Sequence, residues 1–306
     1  MLRAAKLGIG YKANALQPDM VTAVGYLNST GWQKMDTADR FAGQVPIAFE
    51  PAFSNPVGGE DPVEYAYWMV HNALAHHATF IDLQDDWLGD LDQVPEVWRT
   101  MQESLNRTAA DAPAVWIVLR DAECAPVMWK NSGNGCEPGD WSFYLYRSDD
   151  LPGNRTVHLR KEDLPQTAAD QPFGRHARRT DEASGNPWIS LDVDDAWQFA
   201  RQLPVAYGGQ VRYEVSVWYL DQGTDVWLLE YADPEGTLRQ VRVEKTDSGR
   251  WREAIWILDD LFLADMLPGG TDLRLNSAGD GDDIFHKITV RGIRVSEKST
   301  SPTPTP

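Results

Sequence analysis

Residues 211–220 read Val-Arg-Tyr-Glu-Val-Ser-Val-Trp-Tyr-Leu. From Arg212 to Trp218 polar and apolar side chains alternate. A period of two puts successive side chains on opposite faces of a strand, so this is a strand with one face in a core. The rhythm returns in Arg239-Gln-Val-Arg-Val-Glu244. Working outward, strands are expected at Val115–Leu119, Trp141–Arg147, Trp188–Val193, Val226–Tyr231, Leu238–Val243, Glu253–Leu258, Leu273–Leu275 and Ile284–Val290. Gly223, Asp233–Gly236 and Gly269-Gly270 punctuate them. About nine or ten short antiparallel strands predict a β-sandwich of the jelly-roll kind over residues 111–296.

Upstream the pattern differs. Leu7–Tyr11, Val45–Phe49 and Thr79–Leu83 read as strands separated by helical sequence. Asp61-Pro62 opens the clearest helix, with proline in the first turn, where its missing N–H costs little. Ala66, Met69, Val70, Ala73 and Leu74 recur at the spacing of one buried helical face. Val97, Met101 and Leu105 do the same in a second helix. Strand and helix in alternation predict parallel pairing in residues 1–110. A closed (β/α)8 barrel needs about 250 residues. Three units are therefore expected to be the last three of eight, giving an α/β plus all-β chain with a partial (β/α)8 barrel ahead of the antiparallel sandwich.

The chain has 306 residues, 46 acids against 28 bases, a net charge of −18 and 13 tryptophans. That charge excludes a nucleic-acid phosphate binder and an anionic membrane surface as partners, since both select a basic face. No apolar run approaches the ~20 residues of a membrane span. Residues 297–306 end in Thr-Pro-Thr-Pro, which favours extended polyproline II and reads as a linker or tail. An export-type linker without a signal peptide at Met1 leads to the expectation that further domains precede and follow, in an extracellular or cell-surface protein. Cys124 and Cys136 flank a loop rich in Asn and Gly, a spacing that suits a disulfide in an oxidising compartment; two free thiols are the alternative.

The segment Val45-Pro-Ile-Ala-Phe-Glu-Pro-Ala-Phe53 places Glu50 at a strand's C-terminal end, and the next strand runs into Asp82-Leu-Gln-Asp-Asp-Trp87. This resembles strands seven and eight of the (β/α)8 glycoside hydrolases of the large retaining clan. The resemblance implies Glu50 as catalytic nucleophile, with Asp85 and Trp87 at a sugar subsite. It also implies that Tyr11, Lys12 and Asn14, at the preceding strand end, bind substrate hydroxyls. Retaining hydrolysis needs a second carboxyl group as acid/base. In that clan it stands on strand four, which these residues do not supply, so weak or no activity is expected. The second half is similar to the carbohydrate-binding jelly rolls that often follow such barrels, carried by Trp188–Asp195 and Gly281–Val290.

On these grounds the ligand is expected to be a polysaccharide or oligosaccharide. A non-catalytic binding module and a structural cell-surface sandwich are the alternatives. Trp218 and Trp227 are candidate sugar platforms, although any one tryptophan is more often core. Asp192 and Asp194, together with Asp282, are turn carboxylates of the oxygen type that suits a structural Ca²⁺. Solvated turn acids are the plainer reading. No other cofactor is expected. His71, His76 and His77 match no zinc pattern, and the last two read as helix-end residues. Arg175, Arg178 and Arg179 read as strand-surface partners of the acid excess.

Overall fold

The computed structural model describes residues 11–12, 47–49, 62–81, 91–119, 140–148, 157–159, 177–206 and 211–294. Strands β1 (Tyr11–Lys12), β2 (Ile47–Phe49) and β3 (Phe80–Ile81) form a sheet in that order. Both pairings are parallel, as the alternation of strand and helix requires. Helix α1 spans Pro62–Ala75 and helix α2 spans Glu96–Ser104. Val70, Ala73 and Leu74 of α1 and Val97 of α2 are buried, the faces that the spacing predicts.

The remaining strands form two antiparallel sheets. The first contains β4 (Ala114–Val118), β5 (Trp141–Phe143), β10 (Val211–Asp221), β13 (Arg250–Leu258) and β15 (Ile284–Arg294), in the order β13-β10-β15-β4-β5. Two short strands, β7 (Val157–Leu159) and β8 (Ala177–Arg179), continue it, with β8 on β15. The second sheet runs β12-β11-β14-β9-β6. Its members are β6 (Leu145–Arg147), β9 (Trp188–Val193), β11 (Val226–Ala232), β12 (Leu238–Glu244) and β14 (Leu273–Asn276). Helix α3 (Asp195–Ala206), which the strand reading does not anticipate, follows β9 directly.

The segment 141–147, expected as one strand, is two. Tyr144 adopts φ 55°, and there the chain leaves the first sheet for the second. Such corners are how one chain serves both layers of a sandwich. Asp140 ties the layers beside it, accepting from Arg178 Nε at 2.7 Å on β8 and from Arg147 Nε at 2.8 Å on β6. Arg178 is accordingly buried, at 1% exposure, rather than on the surface as its sequence suggests.

Between the sheets lie Val215, Val217, Leu229, Leu275, Ile288 and Trp227, all fully buried. Trp227 meets Tyr219, Trp256 and Phe285 edge-on, with centroids 5.2–5.8 Å apart. Strand β4 is buried along its whole length. The sandwich covers one of its faces, and α1 and α2 cover the other. Helix residues Val63, Tyr67, Val97 and Met101 belong to the same apolar cluster as the sandwich core. Polar contacts fix this layer. Trp116 Nε1 donates to Ser104 Oγ at 2.7 Å, Lys287 Nζ to Thr100 Oγ1 at 2.6 Å, and Arg291 Nε to Glu103 at 2.8 Å. The Tyr67 hydroxyl and His286 Nε2 are 2.8 Å apart.

Candidate functional site

The even-numbered residues of β10 lie on the sheet face turned away from the sandwich core, where Glu214 pairs with Arg99 of α2 and Ser216 and Leu220 are buried. Trp218 and Leu220 are among them, and Leu220 opposes Trp251 on β13. Leu220, Trp251 and Ala177 form a small buried cluster, against which Trp218 and Ile284 pack half-buried. At the end of this apolar strip is a cavity of about 490 Å³. Leu220 and Ile284 line its apolar side, Gln222 and Thr224 its rim, and Arg179, Asp225, Lys245 and Asp282 its charged walls.

The walls are built by close chain approach. Gly223 sits at φ +86°, and a Cβ there would lie 2.6 Å from Asp225 Oδ1. A Cβ on Gly281 would lie 2.5 Å from Asp225 Oδ2. Only glycine on both sides leaves room for that carboxylate. Lys245 Nζ reaches Asp225 at 2.8 Å and Asp283 at 2.7 Å, with its own side chain 2% exposed. These carboxylates hold Lys245 protonated in spite of its burial. Asp283 is pushed up to about 7, because burial outweighs the attraction of Lys245, with Asp225 and Asp280 adding repulsion. Behind Gly223, Asp221 accepts from Thr246 and Ser248 and pairs with Arg252 at 3.0 Å. Its carboxyl falls to about 2, since these hydrogen bonds outweigh its desolvation.

Two further groupings stand out. On the outer face of the second sheet, Glu230 is 2% exposed and accepts from Gln240 at 2.7 Å, from Asn276 at 3.0 Å and from Arg274. Arg274 in turn lies 4.8 Å from the ring centre of Trp188. At the end of β9, carboxylate oxygens of Asp192, Asp265 and Asp272 lie within 4.8 Å of one another. That is an oxygen-donor set of the kind a hard divalent cation takes. Burial raises Asp192 to about 6, reinforced by Asp265, Asp195 and Asp194. Burial also raises Asp272 to about 7, against the hydrogen bonds it accepts from Val193 and Asp265.

Trp218 is on the outer face beside the cavity. Trp227 is corrected: fully buried between the sheets, it offers no face to a ligand. The calcium set Asp192, Asp194 and Asp282 is also corrected, because the fold does not bring the three together. Asp194 accepts from Ala196 N at 2.9 Å and caps α3, while Asp282 accepts from Glu182 N at 2.8 Å and faces the cavity. Asp192 keeps the role of candidate ligand, with Asp265 and Asp272 as the neighbours that sequence reading missed. Glu50, Asn14, Asp85, Trp87, Cys124 and Cys136 lie outside the described residues, as do the side chains of Tyr11 and Lys12. His71 is no metal ligand: Nδ1 bonds the Tyr67 carbonyl at 2.9 Å and Nε2 faces Lys287 Nζ at 3.2 Å.

No family model and no curated protein matches the chain. Among solved structures it is similar to a family 29 carbohydrate-binding module, with 14% identity and a TM-score of 0.27 over 58% of this chain and 91% of that one. A second is the family 22 carbohydrate-binding and family 10 hydrolase modules of a Clostridium thermocellum endo-1,4-β-D-xylanase, complexed with xylohexaose. There the identity is 16% and the TM-score 0.25, over 49% of this chain and 26% of that one. A third is a family 61 carbohydrate-binding module in complex with β-1,4-galactotriose, at 13% identity and TM-score 0.21, over 49% and 88%. These likenesses are weak and local; fold and site rest on the topology and contacts above.

Proposed function

We propose that the sandwich is a non-catalytic carbohydrate-binding module for polysaccharide or oligosaccharide in an extracellular setting. One observation carries this reading: a half-buried indole, Trp218, packs on an apolar cluster whose Leu220 lines, with Ile284, a cavity that also has charged walls. A pyranose has the same two-sided character. Its C–H face packs on an aromatic ring, and its hydroxyls need charged or amide partners. For residues 1–110 we propose a glycoside hydrolase-like region with Glu50 as its nucleophile. The parallel order of β1, β2 and β3 supports that reading.

Affinity electrophoresis against a panel of soluble polysaccharides tests the binding reading. Wild type should be retarded by at least one glycan, and Trp218→Ala should lose most of that retardation while keeping its melting temperature within a few degrees. Equal mobility of both proteins on every glycan would overturn the proposal.

A further inference from the structure

The ligand chemistry of the same cavity follows from which of its polar atoms are already engaged. Lys245 Nζ is held by two carboxylates, and the Gly223 N–H donates to Asp247 Oδ1 at 2.8 Å. On the acceptor side, Asp282 Oδ1 takes the Glu182 N–H, but its Oδ2 has, among the described residues, only Arg179 Nε at 3.8 Å, beyond hydrogen-bond reach. Asp225 Oδ2 faces Gly281 and has no donor among the described residues. Arg179 Nε is buried without an acceptor there. The vacant capacity is thus two carboxylate oxygens against one guanidinium.

The surrounding charge points the same way. Arg179 and Lys245 balance Asp225 and Asp282 in the walls. Outside them stand Asp221, Asp247, Asp280 and the partly protonated Asp283 with Arg250 and Arg252. A concave site with an acid excess favours a cation and disfavours an anion.

Resting on the carbohydrate-binding reading, we infer that this cavity selects a sugar residue carrying a protonated amine over neutral and uronic sugars. The ammonium sits between Asp225 and Asp282. Arg179 donates to a ring or hydroxyl oxygen, and Leu220 and Ile284 underlie the C–H face. A uronate in this position would set its carboxylate beside two others, with Lys245 already engaged by Asp225 and Asp283 and only the Arg179 guanidinium open to it.

The test is isothermal titration of the whole chain with glucosamine, glucose and glucuronate, each at low and high NaCl. Glucosamine should bind at least tenfold more tightly than glucose, with glucuronate weakest, and the preference should shrink in high salt. Asp282→Asn keeps the acceptor for Glu182 and should erase most of the preference. Arg179→Gln should weaken all three sugars alike. Equal binding of glucosamine and glucose, or tighter binding of glucuronate, would refute this inference and leave the carbohydrate-binding reading standing. Heat from none of the three, together with unretarded mobility on every polysaccharide, would sink both.

Discussion

Lys245 is the group whose removal tests the reasoning about this site most severely. Its ammonium lies 2.8 Å from Asp225 and 2.7 Å from Asp283, with Lys245 2% and Asp283 1% exposed in their side chains. Methionine fills nearly the same space without the charge, so Lys245→Met removes the cation while sparing the packing. Breaking a buried pair by deleting one partner costs about 3–5 kcal/mol, because the remaining charge is left desolvated. For domains of this size that is roughly 6–20 °C in melting temperature. The cost depends on pH in a defined sense. Asp283 already titrates near 7 with Lys245 present, and losing the lysine raises it further. At pH 5 Asp283 is neutral in the variant, so Asp225 alone lacks its partner and the loss is smaller. At pH 8 either an uncompensated carboxylate is buried or a proton is taken up against the solution, and the loss is full. Thermal unfolding followed by near-ultraviolet circular dichroism at both pH values reads this directly. Lys245→Met with Asp283→Asn should recover part of the loss at pH 8. A loss below about 1 kcal/mol at pH 8, or one equal at the two pH values, would show that the ammonium does not hold these carboxylates together.

Asp272 provides a second pH signature. Its carboxyl is raised to about 7, so its contribution to stability is complete below the ordinary aspartate range and declines as pH rises through 7. The difference from an ordinary aspartate is about 4 kcal/mol at most. Melting temperature should fall between pH 4 and pH 7.5 in the wild type and fall less in Asp272→Asn; identical slopes would contradict the assignment. Calcium should raise the wild-type melting temperature at pH 7.5 more than that of the variant, if the oxygens at Asp192, Asp265 and Asp272 gather a cation as their spacing allows. Trp227→Ala should cost about 3–5 kcal/mol, the usual range for a large aromatic removed from a core. In any fraction that folds, glycan retardation should match the wild type; a selective loss of binding would mean that the indole is reached by ligand after all.

The strands of the sandwich were legible because each carries its own signal. Val211–Asp221 alternates along most of its length, and the turns after β10 and β11 contain Gly223 and Gly236 at positive φ. Strands β7 and β8 were not legible. Each is three residues long, and two of the three in β8 are arginines. Arg178 becomes a core residue only because Asp140, 38 positions earlier, neutralises it. Helix α3 left a weak trace in Asp194, an N-cap type, which the sequence reading took for a metal ligand. The site was half legible for a related reason. Trp218 follows from its own strand, but the cavity joins Arg179, the 222–225 turn, Lys245 and the 282–284 segment, and only the pairings of β15 with β10 and β8 make them neighbours. Asp192 could be named, whereas Asp265 and Asp272 reach it through the antiparallel match of Leu273 with Leu191. Composition alone does not separate Trp227 in the core from the half-buried Trp218 on the sheet's other face.

Strand β15, near the end of the described chain, occupies the middle of its sheet. It pairs with β10, with β4 some 170 positions upstream and with β8, and through His286, Lys287 and Arg291 it anchors both helices. Contacts this distant in sequence form slowly, since long loops must close before any pairing rewards them. During synthesis, β4 and the two helices emerge from the ribosome long before the strand that completes them. Their apolar surfaces must wait, shielded by nascent-chain binders or by one another, until residues 284–294 arrive. A ribosome stalled before Ile284 would therefore release a chain with an unfinished sheet and two unanchored helices, a substrate for proteolysis rather than a shorter version of the fold.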